Sequence, residues 1–163
     1  MRTRTALVLF LAVGACSTSD EPPSGDLAAT AEAFFRAVYG CAPDRLQDLA
    51  SADVTLSYPI FETLYGTGTI RGLEAAVDFS NSFCRRWAQA SMSVDEVVQD
   101  GNRVVLVWSF SANDQLSEDA SDARRSWGGI SVFRFDESGR VLEEFGEEST
   151  PGPTARRAAT PGL

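Results

Sequence analysis

The hydrophobic periodicity of this chain changes from helical to alternating near residue 90, and this change constrains the fold more than any other feature. Before that point, apolar residues recur at helical spacing in three segments, with one short alternating segment between the second and the third. After it, apolar and polar residues alternate in four successive segments, as strands do. Helices grouped early and strands grouped late predict an α+β domain rather than a parallel sheet. The predicted elements are helices over 26–40, 43–49 and 73–87 and strands over 54–58, 91–99, 103–111, 124–135 and 141–148.

Several segments are predicted to depart from regular structure. Residues 60–72 contain three glycines and are predicted to be irregular, with at most a short strand, and residues 113–123 form an acidic loop. The pair Gly128-Gly129 predicts a β-bulge that adds curvature to its strand. Residues 150–163 contain three prolines and almost no large apolar residue, which predicts a disordered tail.

The N-terminal residues have the three parts of a secretory signal. Arg2 and Arg4 give a positive start, residues 5–13 are apolar, and small residues precede Cys16. The apolar stretch is too short to cross a bilayer as a helix. A buried N-terminal helix and a plain cleavable signal without lipid are the alternatives.

The run from Leu11 to Cys16 resembles the lipobox of bacterial lipoprotein signal peptides. In that family the peptide is cut before the cysteine, which then carries lipid. The resemblance implies that residues 1–15 are removed and that residues 16–25 are a lipidated cysteine and a flexible tether. It places the domain outside the cytoplasm, in the cell envelope, with the lipid bilayer as a partner through Cys16. Ser17 is compatible with the outer membrane in a cell that has two membranes.

Cys41 and Cys84 remain once Cys16 is assigned to lipid. An even pair of cysteines in an oxidising compartment predicts a disulfide. Closing a loop of this length would stabilise the fold by roughly 4 kcal/mol on the chain-entropy model. Two buried free thiols are the alternative, because Cys84 lies on the apolar stripe of the third predicted helix. A reactive thiol has the least support, since the chain has no histidine to activate it.

Composition argues against several classes of function. The net charge is −9, and an acidic surface repels nucleic-acid phosphates and anionic lipid headgroups. The chain lacks histidine, the commonest general base and metal ligand, and it has no Cys-x-x-Cys pair, so no metal is predicted. No phosphate-binding glycine loop is present, and no cofactor is predicted. All fourteen basic residues are arginines, of which Arg85 and Arg86 lie off the apolar helix stripe and are predicted to be solvated.

Three segments of the strand region carry a resemblance to a known family. Residues 103–110 (RVVLVWSF), 127–136 (WGGISVFRFD) and 139–145 (GRVLEEF) resemble the last three strands of nuclear transport factor 2-like domains of the SnoaL-like branch. The Phe34-Phe35 helix and the glycine before the third helix match the same pattern. The resemblance implies a SnoaL-like domain over 26–149.

The fold that this resemblance implies is a cone-shaped α+β barrel. A curved, mostly antiparallel sheet wraps around three helices from the N-terminal half, with a pocket between the sheet and the third helix. The superfamily includes polyketide cyclases, ketosteroid isomerase, dehydratases and many non-enzymatic binding or dimerising modules. The fold alone therefore does not select a function.

Glu143 is the candidate catalytic base. Enzymes that the chain resembles use an aspartate or a histidine in the cone, where a dry pocket raises the pKa of a carboxylate. The position where many members have histidine holds Ser111-Ala112-Asn113 here. Alternation along the last strand places Glu143 on a face that would line the cone, together with Val141, Phe145 and Glu147. The alternative is a cross-strand ion pair with Arg134 or Arg124; weaker acidic candidates are Glu62 and Asp78.

A set of aromatic residues is predicted to line an apolar pocket. Tyrosine and tryptophan would give such a pocket hydrogen-bonding tips. The alternative for each of them is that it fills the core. The predicted pocket residues are Tyr58, Phe61, Tyr65, Trp87, Trp108, Trp127 and Phe133.

Three hypotheses follow for the function. The first is a lipid-tethered module that binds a small apolar or amphipathic ligand in the cone. The second is an exported cyclase, isomerase or dehydratase that uses Glu143 as base and Tyr58 or Tyr65 as hydrogen-bond donor. The third is a non-catalytic module that forms a homodimer or docks a partner through its sheet, for which exposure of Val105 and Val107 is the expected sign.

Overall fold

The structure is a computed structural model that describes residues 26–117 and 124–159. The predicted signal peptide, lipidated Cys16 and tether lie outside the described residues. Five α-helices and six strands are present among the described residues, with a 3-10 turn at Pro43–Arg45. The helices are α1 (Leu27–Tyr39), α2 (Leu46–Leu49), α3 (Pro59–Tyr65), α4 (Leu73–Arg86) and α5 (Pro153–Ala158), and the strands are β1 (Ala50–Ser57), β2 (Thr69–Arg71), β3 (Trp87–Asp100), β4 (Arg103–Asp114), β5 (Arg124–Phe135) and β6 (Val141–Ser149).

The six strands form one curved sheet in the order β2-β1-β6-β5-β4-β3. All neighbouring pairs are antiparallel except β1 and β6, which run parallel. This arrangement confirms the predicted α+β fold with a mostly antiparallel sheet. No helix among the described residues is long and apolar enough to span a bilayer.

Helices α1 and α4 pack on the inner face of the sheet and build the core. The Asp26 side chain accepts a hydrogen bond from the Ala29 backbone and so begins α1. Phe35 of α1 contacts Trp108 of β4, with 5.3 Å between ring centroids, and Phe83 of α4 contacts Phe110 at 5.6 Å. These contacts fix both helices against the same strand.

A disulfide joins Cys41 and Cys84, as predicted, with 5.7 Å between their Cα atoms. Cys41 follows the C-terminal end of α1, and Cys84 lies in the last turn of α4. The bond therefore ties together the two helices that form the helical layer of the core.

Residues 60–72 are more regular than predicted. Pro59 occupies the first position of α3, where its missing N–H costs nothing, and Gly66 ends the helix with φ of 73°. The strand β2 follows and pairs with β1. The three glycines mark boundaries of regular elements: Gly66 ends α3, Gly68 lies between α3 and β2, and Gly72 precedes α4.

The bulge predicted at Gly128-Gly129 is wrong. The pairing of β5 with both of its neighbours runs through these residues without a change of register. Gly129 instead leaves room for the Trp108 ring, because a Cβ on Gly129 would lie 2.5 Å from Cζ2 of Trp108. The register changes at other places, including β6, where Arg134 pairs with Glu143 and Phe135 pairs with Val141, so that Leu142 is the extra residue.

The prediction of a disordered tail is wrong for residues 150–159. Helix α5 packs across β4 and β5. The Thr154 hydroxyl donates to Asp95 at 2.7 Å, and Arg157 forms an ion pair with Glu96 at 2.7 Å. Gly152 lies directly against the Gly128 backbone, a contact that small residues permit. The domain therefore extends beyond residue 149.

Candidate functional site

A cavity of about 440 Å³ lies between the sheet and helices α3 and α4. Of the seven aromatic residues predicted to form a pocket, six line this cavity: Tyr58, Phe61, Tyr65, Trp87, Trp108 and Trp127. The sequence prediction did not include four further aromatic residues that also line it: Phe35, Tyr39, Phe83 and Phe110.

Phe133, the seventh predicted pocket residue, does not line the cavity. It is fully buried, and its ring meets Phe34 of α1 edge to face at a centroid distance of 6.2 Å. Phe133 therefore fills the core, in agreement with the alternative predicted for each of these aromatic residues.

The aromatic rings of the cavity wall pack against one another. Trp127 lies 4.6 Å from Phe110 and 4.9 Å from Trp87, measured between ring centroids, while Phe61 lies 5.0 Å from Tyr58. Such tilted and edge-to-face contacts are favourable beyond the area they bury. The rings therefore contact one another along the wall and leave the cavity beside them unfilled.

A buried hydrogen-bond network centres on Glu144 of β6. Its Oε1 accepts from Tyr58 at 2.6 Å and from Tyr39 at 3.4 Å. The Trp108 indole donates to Ser131 at 2.8 Å, and Ser131 also bonds to Tyr58. Because the single Tyr58 proton goes to Glu144, Ser131 must donate to Tyr58. The successive donors Trp108, Ser131 and Tyr58 therefore all point toward the carboxyl group of Glu144.

Burial raises the pKa of Glu144 to about 7, and the hydrogen bonds from Tyr58 and Tyr39 limit the rise. Burial, followed by the charge of Glu144, raises the pKa values of both tyrosines well above their usual value. Oε2 of Glu144 is buried and has no partner among the described residues. Because its pKa is raised, Glu144 holds a proton more tightly in the folded protein than in the unfolded chain near neutral pH.

Glu143, the predicted base, lies on the other face of β6. It forms an ion pair with Arg134 at 3.1 Å, and both side chains are substantially exposed. The extra residue Leu142 shifts the alternation of inward and outward side chains. Val141 points inward as predicted, but the next inward-pointing residue is Glu144 rather than Glu143. The catalytic role assigned to Glu143 is therefore wrong, and the cross-strand ion pair is correct. The weaker acidic candidates Glu62 and Asp78 are exposed.

Glu148 is the glutamate that lines the cavity. Burial raises the pKa of its carboxyl group to about 7, and the Trp127 indole opposes the rise. It lies four residues beyond Glu144 on the same face of β6, about 13 Å along the strand. Near neutral pH Glu148 can donate or accept a proton at the cavity wall.

Arg86 lines the same cavity, although it was predicted to be solvated. It is the last residue of α4, and its guanidinium carbon lies 4.9 Å from the centre of the Trp87 ring. Nη2 of Arg86 donates to Asp114 at 3.1 Å. Among the described residues, no group of histidines, cysteines and carboxylates is arranged to hold a metal ion.

Comparison with solved structures supports the fold. An NTF2-like protein of unknown function from Burkholderia pseudomallei is 18% identical, with a TM-score of 0.61, over 83% of this chain and 96% of that one. TsrD from Streptomyces laurentii is 21% identical, with a TM-score of 0.59, over 81% and 94%. An LEH-like epoxide hydrolase from M. tuberculosis is 16% identical, with a TM-score of 0.59, over 76% and 79%.

These identities are low, so the likeness concerns the fold alone. No curated protein matches the chain in sequence. The family model for the SnoaL-like domain matches residues 31–144, which is most of the folded part. The chain therefore belongs to the SnoaL-like domain family, with the NTF2-like fold.

Proposed function

We propose that the domain binds a small apolar or amphipathic molecule in the cavity between the sheet and helices α3 and α4. The observation that carries this proposal is the cavity itself, whose volume of about 440 Å³ is in the range of small-molecule sites. Its walls are mostly aromatic, with a few polar groups that could orient a ligand. The rings of these walls pack against one another.

Neither Glu143 nor Glu144 lines the cavity, so neither supports catalysis there. Glu143 faces away from the cavity and is paired with Arg134. Glu144 is fully buried behind the hydroxyl groups of Tyr39 and Tyr58. Glu148 does line the cavity, where it can exchange a hydrogen bond with a bound molecule. Val105 and Val107 are half-buried rather than exposed, so we propose no dimerisation through them.

A neutral fluorescent probe, N-phenyl-1-naphthylamine, tests the binding proposal. We expect saturable binding with a rise in probe fluorescence. Leu64 lines the cavity, so Leu64→Trp should fill part of it and weaken binding by about tenfold or more, which is about 1.4 kcal/mol. Thr63→Trp is the matched control, because Thr63 is the preceding residue on α3 and is exposed.

Equal weakening by Leu64→Trp and Thr63→Trp, or the absence of saturable binding to the folded protein, would contradict the proposal. Native mass spectrometry of the freshly purified protein provides a second test. A co-purified small molecule that is lost in Leu64→Trp and kept in Thr63→Trp would support it.

We also propose that the domain is exported and held at the bacterial cell envelope by lipid on Cys16. The lipobox-like run and the Cys41–Cys84 disulfide support this, since disulfides persist in oxidising compartments. Cys16→Ala should abolish incorporation of labelled palmitate and move the protein out of the membrane fraction. Ser17→Ala is the control and should remain lipidated. Palmitate incorporation that persists in Cys16→Ala would refute the assignment.

A further inference from the structure

One side of the cavity is polar, in contrast to its aromatic remainder. Arg86 from the end of α4, Asp114 from the end of β4 and Arg125 near the start of β5 all line it there. The pKa of the Asp114 carboxyl group is lowered: burial acts to raise it, but hydrogen bonds from Arg86 and Leu116 and the charge of Arg125 outweigh burial. Asp114 is therefore an ionised group that faces two guanidinium groups.

The Arg86 guanidinium has more N–H donors than its surroundings have acceptors for them. Among the described residues, one of its five N–H groups has a recorded acceptor, through the bond from Nη2 to Asp114. Nε is buried without a partner among the described residues. The side chain as a whole is only 21% exposed, so bulk water does not readily compensate for the missing bonds. A ligand acceptor at this wall would supply a bond that the protein does not.

Tyr65 lines the same cavity, and its hydroxyl also lacks an acceptor among the described residues. It is buried, and no described residue accepts its proton. Burial raises the pKa of Tyr65, while the Trp87 indole and the charge of Arg86 act to lower it. A second donor without an acceptor therefore lines the same cavity as Arg86.

We propose that the cavity ligand carries a single carboxylate, which Arg86 binds while the apolar body of the ligand lies among the aromatic rings. This inference rests on the proposed function and adds the chemical class of the ligand. The planar guanidinium matches a carboxylate geometrically, and such charge-assisted bonds are stronger than bonds between neutral groups. A doubly charged phosphate monoester fits less well, since Asp114 already neutralises part of the positive charge and Glu148 lines the same cavity.

Calorimetric titration with 2-naphthoate and 2-naphthamide at pH 7 tests the proposal. The two compounds share size and ring system, but only the first carries a negative charge. We expect the wild-type protein to bind the acid about tenfold tighter than the amide. Arg86→Gln should remove this preference, so that the affinities of the variant for the acid and the amide agree to within about twofold.

Arg85→Gln is the matched control, because Arg85 precedes Arg86 on α4, is exposed and bonds to Ser82. The preference for the acid should persist in this variant. Arg86→Gln removes the ion pair with Asp114, so the double variant Arg86→Gln, Asp114→Asn provides a second version that should also lack the preference.

Equal affinity of the wild-type protein for acid and amide, or a preference that survives in Arg86→Gln, would overturn the carboxylate assignment and leave the cavity as a binding site. Failure of 2-naphthoate to displace bound N-phenyl-1-naphthylamine would have the same consequence. Failure of the neutral probe itself to bind the folded wild-type protein would overturn the proposed function.

Discussion

Replacing Cys41 and Cys84 together by alanine is expected to lower the free energy of unfolding by about 4 kcal/mol. The bond joins residues separated by 43 positions, and on the chain-entropy model the closed loop restricts the unfolded chain by this amount. For a domain of this size the melting temperature should fall by about 15 °C. Urea titration followed by tryptophan fluorescence measures the change.

Reduction of the disulfide provides the control for this prediction. Both proteins should carry Cys16→Ala, so that no third thiol is available for exchange. Reductant should then destabilise the protein with both cysteines by the same amount as the double substitution, and it should leave the alanine variant unchanged. A loss below about 1 kcal/mol would show that α1 and α4 are held mainly by their packing on the sheet.

The sequence predicts the architecture well because hydrophobic periodicity is local. The alternation from Arg124 to Phe135 gives the bounds of β5, and the apolar stripe from Leu73 gives α4. These patterns survive in the fold because each element has one face against the core. The aromatic cavity wall follows from the same property, since side chains of the inner strand faces and of α4 necessarily meet.

The register of β6 could not be predicted in this way. The sequence Val-Leu-Glu-Glu-Phe contains no glycine and no turn residue that would indicate an extra residue at Leu142. The bulge arises from pairing with β5, which is a tertiary contact. A shift of one residue exchanges the two faces of a strand, so Glu144 is buried and Glu143 lies half-buried on the opposite face.

Arg86 and helix α5 were missed for a related reason. A charged residue at a helix end usually lies in water, but the start of β3 and the end of β4 enclose Arg86. The α5 segment is rich in proline, glycine and small residues, a composition that is typical of disorder. Its packing involves tertiary contacts, including the close approach of Gly152 to Gly128, which are far apart in sequence.

Replacing Glu144 by glutamine is expected to remove a large part of the pH dependence of stability between about pH 4.5 and pH 7. The pKa of this glutamate is about 7 in the folded protein and 4.5 for the unperturbed group. The folded state therefore binds the proton more tightly, and stability falls as the pH rises through this interval. The difference amounts to about 3 kcal/mol between the two ends.

Glutamine keeps an oxygen that can accept from Tyr58 and Tyr39, but it cannot ionise. Relative to the wild-type protein, the variant should therefore gain stability progressively as the pH rises from 4.5 to 7. Above about pH 8 the difference should become constant, because the glutamate is then mostly ionised in both states of the wild-type protein. The amide group at the position of Oε2 adds an offset that does not depend on pH, so the change of slope is the quantity to measure.

Glu148 has a similarly raised pKa and contributes a slope of the same sign, so the Glu144→Gln variant should retain a part of the dependence. Glu143→Gln is the matched control: its ion pair with Arg134 is largely exposed, and such pairs contribute at most about 1 kcal/mol. Its stability should therefore follow the wild-type curve in this interval. Parallel curves for the wild-type protein and Glu144→Gln would instead mean that Glu144 is ionised in the folded state throughout. The hydrogen bonds from Tyr58 and Tyr39 would then stabilise its charge.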